Sequence, residues 1–154
     1  MKTQLRTILA TALVWTTFTS GCKETVTEPP VVIDTVSCDS IPAGKAGSTL
    51  RIVWLDANPT GDDNFSEKVT LMNFAKGGER VNASGYYILN SWDRRFDLPG
   101  RWIDPCAMSE FVIDEIEMFD NEGDTLRLFA SSGDILIQTV PYSAIPDGRK
   151  LRIR

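Results

Sequence analysis

Twelve residues from Asp56 to Glu67, DANPTGDDNFSE, carry oxygen-bearing side chains at a spacing that suits a hard cation. Asp56, Asn58, Thr60, Asp62 and Asn64 stand at positions 1, 3, 5, 7 and 9, Glu67 stands at position 12, and Gly61 falls at the sharp sixth position. Oxygen ligands so arranged wrap Ca²⁺ in loops held between two helices. Here the flanks, LRIVWL and KVTLM, are strand-like, Asp63 replaces an apolar residue, and Pro59 stiffens the wrap. Asn-Pro, Gly and Asp are also ordinary turn formers. The turn reading is favoured, with Ca²⁺ kept as the alternative and no other cofactor expected. Catalytic groups are sparse. The chain has no histidine, which removes His-based triads, imidazole bases and most zinc sites. Asp114, Glu115, Glu117, Asp120, Glu122 and Asp124 make an acidic run, read as the solvated face of a strand and its turn. The expectation is a protein that is not an enzyme.

A different chemistry is concentrated in Asn90 to Trp102, NSWDRRFDLPGRW. It brings Trp92, Phe96 and Trp102 together with Arg94, Arg95 and Arg101 on an acidic chain. Trp and Arg dominate binding hot spots because they bury large areas and offer directed donors. The segment, a loop with one short strand, is therefore the candidate partner-binding element. The competing reading is packing: a core aromatic, with arginines stacked on aromatic faces.

The beginning of the chain supplies an address. Lys2 and Arg6 precede an apolar stretch from Ile8 to Phe18, then small residues lead to Cys22. That order is a secretory signal over residues 1–21, with an apolar part too short to span a bilayer. Thr19-Ser20-Gly21-Cys22 resembles the bacterial lipobox, with Thr19 where an aliphatic residue is usual. The resemblance implies lipid on Cys22 and a location in the bacterial cell envelope, in the outer membrane where the host has one. Two acyl chains make a lasting anchor, where one is marginal. Of three cysteines, lipidated Cys22 would leave Cys38 and Cys106 as a disulfide pair, the alternative being two separate thiols. Losing Lys2 and Arg6 leaves 14 basic residues against 21 acidic ones, a net charge of −7. Phosphate backbones repel such a body, so nucleic acid is not an expected partner.

The elements that must position these residues are strands. Residues 22–48 are rich in Pro, Thr, Ser and charge without a sustained period, and are expected as a flexible stalk. From residue 49 to 154 the pattern changes. Leu50–Leu55, Lys68–Phe74, Tyr86–Leu89, Phe111–Phe119, Leu126–Ala130, Ile135–Val140 and Leu151–Ile153 are short runs rich in β-branched and aromatic residues. Asn121-Glu122-Gly123-Asp124 and Ser131-Ser132-Gly133-Asp134 punctuate them as turns. Seven short strands with such turns predict an all-β, immunoglobulin-like antiparallel β-sandwich.

Three marks in this region resemble the lamin-tail domain family. The first is Asn58-Pro59-Thr60-Gly61-Asp62, with Glu67 leading into the strand Val69 to Asn73. The second is Asn82-Ala83-Ser84-Gly85-Tyr86, opening the next strand. The third is Asn121 to Leu128, followed by Gly133-Asp134-Ile135 and closed by Val140-Pro141-Tyr142. Arg101 to Glu110 departs from the family's pattern. The resemblance implies an immunoglobulin-like sandwich of the kind that accompanies secreted hydrolases as a binding or tethering module. Two functions follow as expectations. One is a non-catalytic envelope lipoprotein that binds or tethers a protein or glycan partner. The other is an accessory subunit of a secreted hydrolase or nucleic-acid-processing system.

Overall fold

The computed structural model describes residues 36–59, 66–114 and 118–154. The signal segment and Cys22 lie outside the described residues. Among the described residues ten strands follow in chain order: β1 (Leu50–Asp56), β2 (Lys68–Asn73), β3 (Val81–Asn82), β4 (Tyr86–Leu89), β5 (Arg95–Asp97), β6 (Trp102–Ile103), β7 (Met108–Val112), β8 (Gly123–Ala130), β9 (Ile135–Ser143) and β10 (Leu151–Arg152). One 3₁₀ turn, Ala83–Gly85, is the only helical element among the described residues. Two four-stranded antiparallel sheets, ordered β10-β1-β2-β7 and β5-β4-β8-β9, pack as the expected sandwich, and β3 and β6 pair separately.

Alternation makes the core. Along β8, Leu126 and Leu128 are buried while Thr125, Arg127 and Phe129 are half-buried. Ile52, Leu55, Val69 and Leu71 come from one sheet and Ile88, Phe96, Leu128 and Val140 from the other, in one apolar cluster. Period-two side chains of both sheets thus meet face to face. The β1–β2 register slips between Ile52 and Trp54. There the buried amide of Gln138 crosses between the sheets: the Ile52 N–H donates to its Oε1 at 2.7 Å, and its Nε2 donates to the Ile52 carbonyl at 3.3 Å. A ladder irregularity is thereby kept free of unpaired buried backbone.

Two expectations are corrected. The strand expected over Phe111–Phe119 is β7, which starts earlier, at Met108, and ends at Val112. Ile113, Met118 and Phe119 still enter the core; the Ile113 N–H donates to the Glu67 carbonyl, and side chains hold residues 118 and 119. The Glu67 carboxylate accepts from the Phe119 N–H, and the Asn90 amide donates to the Met118 carbonyl. Nor does the stalk run to residue 48. Residues 36–48 form a strap laid on the sandwich. Val36 and Cys38 pack on Val53, Met72 and Phe74, a small apolar cluster on the outer side of β1 and β2. A Cys38–Cys106 disulfide pins the strap, with Cα atoms 5.3 Å apart. The buried Arg51 guanidinium donates to the Pro42, Lys45 and Leu50 carbonyls at 3.1, 3.0 and 2.8 Å. Burial pulls its pKa below the ordinary arginine value. The Lys45 N–H donates to the Ile137 carbonyl. Composition hid this strap, because its contacts come from long-range partners.

Candidate functional site

The registers define two ends of the sandwich. At one end lie the β8–β9 hairpin, turned through Gly133 and Asp134 at positive φ, and the disulfide, whose Cys106 N–H donates to the Asn73 carbonyl. At the other end, the β4–β5 turn (residues 90–94) meets the start of β8, since Leu89 pairs with both Arg95 and Arg127. The Glu67 and Met118–Asp124 segments reach the same end, as does the β9–β10 connection: Asn58 Nδ2 donates to the Ile145 carbonyl and the Ile145 N–H to the Asn121 carbonyl. Gly123 opens β8 at φ 123°, where an added Cβ would lie 2.8 Å from the Tyr142 carbonyl oxygen, so only glycine fits this close crossing.

The β4–β5 turn is built around Asn90, which has no exposed surface. Its Oδ1 accepts from the Trp92 and Arg94 N–H groups at 3.0 and 2.9 Å, and its Nδ2 donates to the Met118 carbonyl at 3.1 Å. Below it, Asp124 Oδ1 accepts from the Ser91 and Thr125 N–H groups. Arg127 donates to the Asn90 carbonyl at 2.7 Å and pairs with the Asp93 carboxylate at 2.6 Å. Asp93 sits at φ 60°, a left-handed conformation that an L-residue adopts at some cost and that this network holds in place. The product is a fixed turn with Trp92 at its tip, 57 % exposed.

The remaining members of the predicted cluster are dispersed. Phe96 is 5 % exposed and belongs to the core. Arg95 lies 3.8 Å over the Tyr87 ring and pairs with Asp97 at 2.7 Å, a bond that raises its pKa further. Tyr87 in turn stacks on Phe129, centroids 5.1 Å apart, and donates to Asp134. Burial and that hydrogen bond push its phenol up. Arg101 donates to Ser109 Oγ and to the Glu110 carbonyl on β7 and lies over the Phe111 ring at 5.1 Å. Trp102 of β6, 54 % exposed, is paired with Asn82 of β3 and covered on one face by Arg80 at 4.5 Å. The cluster expected as one surface is therefore divided. Trp92 and Arg94 share the tip of the turn, Arg95 is spent on Tyr87 and Asp97, Phe96 is core, and Arg101 and Trp102 belong to β6 and its approach. Sequence proximity had joined residues that strand alternation separates.

The calcium spacing finds other uses among its described members. Asp56 closes β1 and pairs with Lys150 at 3.6 Å, Asn58 holds Ile145, and buried Glu67 accepts the Phe119 N–H. Thr60, Asp62 and Asn64 lie outside the described residues. Strands, not helices, flank the loop on both sides. Among the described residues no group of three or more metal-ligating side chains has the geometry to hold a metal ion. Sequence reasoning missed Asn90, Asp124 and Arg127, the residues that build the turn. Asn90 before Ser91 at a strand end was the available signal, and Asp124 stood inside a recognised turn.

The disulfide points to an oxidising, extracytoplasmic setting, where such bonds persist. No helix among the described residues is long and apolar enough to cross a membrane. Comparison with known protein families, curated proteins and solved structures finds no match to this chain.

Proposed function

We propose that this chain is a lipid-anchored envelope protein whose lamin-tail-type sandwich is a non-catalytic binding module, with the β4–β5 turn as its contact element. The observation that carries the reading is an exposed indole on a turn whose geometry is fixed by Asn90, Asp124 and Arg127. A loop ordered in advance loses less entropy when it binds. Loops at the ends of a rigid sandwich are where this architecture displays its contact residues. The lipobox-like residues before Cys22 support the anchor, and the disulfide supports export. The three family-like marks, in order along the sequence, and the two antiparallel sheets support the lamin-tail assignment.

The test uses the lipidated protein, immobilised in detergent and challenged with an envelope extract. Wild type and Trp102→Ala should retain the same component, and Trp92→Ala should lose it while melting at the same temperature. Equal retention by Trp92→Ala would remove the turn from the reading, and no retention by wild type would remove the binding function.

A further inference from the structure

We infer that the Trp92 turn binds an uncharged sugar ring, an inference that rests on the binding-module reading and names its ligand class. The first argument is the setting of the indole. Ser91, Asp93, Arg94 and Arg95 around it are exposed polar residues, and Trp92 is the only exposed aromatic among the described residues of this turn. A protein partner of standard size needs about 800 Å² on each side with an apolar centre. One indole ringed by polar groups does not supply that centre. It does suit a ligand with an apolar face and a hydroxyl rim: the C–H face of a pyranose lies on the indole, and its hydroxyls meet the surrounding polar groups.

The second argument is charge. Arg127 is paired with Asp93, and Arg95 with Asp97. Two of the guanidinium groups at and beside the turn are thus neutralised, on a chain of net charge −5 before any processing. Uronic, sulfated or phosphorylated glycans are repelled by a body of this net charge, while a neutral ring incurs no such penalty.

The third argument is rigidity. A contact this small gains little free energy, so it requires a turn that needs no ordering on binding. The Asn90 amide, the Asp124 carboxylate and the Arg127 guanidinium fix that turn before any ligand arrives. Asn90 is a positioning residue: it holds the tip without reaching the ligand.

The experiment displays the full lipidated protein on an array of neutral and acidic oligosaccharides, with hits titrated by tryptophan fluorescence. Neutral oligosaccharides should be retained. Trp92→Ala should weaken them at least about tenfold, equal to ~1.4 kcal/mol, and Trp92→Phe should retain part of the affinity. Asn90→Ala should weaken them with the indole still present, whereas Trp102→Ala should change nothing. Binding restricted to acidic sugars, or binding indifferent to Trp92→Ala, overturns the inference. If no sugar binds but the envelope extract yields a polypeptide in a Trp92-dependent way, the sugar inference falls and the binding module stands. If neither is retained, both fall.

Discussion

Replacing Cys38 and Cys106 together by alanine releases the front of the strap. The bridge spans 68 residues of sequence, and in the chain-entropy treatment a loop of that length stabilises the fold by about 4 kcal/mol at 25 °C. A second loss adds to it in principle: Val53, Met72 and Phe74 are covered by Val36 and Cys38 and would open to water. The exposed Lys76–Asp39 ion pair at the front of the strap would remain, and it contributes little. Behind it, Arg51 holds residues 42–45 independently of the bridge, so the strap should fray from its front and not detach whole. Urea unfolding of a secreted form carrying Cys22→Ser should show a loss of about 3–5 kcal/mol. The melting point should fall by roughly 10–20 °C for a domain of this size. Hydrogen exchange should accelerate at residues 36–40, 53 and 72–74 while Ile88 and Leu128 keep their protection. A loss below about 1 kcal/mol with unchanged exchange would show that packing alone holds the strap, and would refute the role given to the bridge.

Arg51→Met keeps the apolar volume but strips three carbonyls of their donor, and should cost about 2–4 kcal/mol in urea unfolding, with faster exchange at residues 42–48. Asn90→Ala leaves two turn N–H groups and the Met118 carbonyl without their partner, and should cost about 2–3 kcal/mol while the β4–β5 turn loses protection. The buried Tyr142 phenol donates to the Asp120 carbonyl and accepts from the Asp120 N–H. Burial and the nearby Asp124 raise its pKa above the ordinary value of 10.0. The unfolded chain therefore ionises first, and this stability contribution, complete below pH 10, is lost as pH rises toward the folded pKa. Tyr142→Phe should flatten the alkaline limb of a stability–pH curve, and an unchanged limb would assign it elsewhere.

The sandwich was legible because its strands obey one local rule. Leu126 and Leu128 alternate with Thr125 and Arg127 as a half-buried strand must, and Gly133-Asp134 supplies positive φ where a hairpin needs it. β5 falls where one short strand was expected between Asn90 and Trp102, but β3 and β6 were not legible, because two residues contain too little pattern to stand out from a loop. The strap was hidden for a related reason. Its fixed conformation comes from a disulfide to residue 106 and an arginine on β1, and stalk-like composition carries no trace of either. At the candidate site the sequence marked Trp92 by type but grouped it with Phe96, which alternation sends into the core. Asn90 went unnoticed since a buried asparagine is recognised by its partners, here Met118 and the turn's own N–H groups, and not by its neighbours in sequence.

The central claim is an exported, lipid-anchored sandwich, and the intact mass of the protein purified from the membranes of its own cells tests it most directly. The account requires a chain starting at Cys22 that carries acyl lipid and is two protons lighter than its reduced form, with Cys38 and Cys106 bridged. An unacylated chain, or one with two thiols open to alkylation, would contradict it.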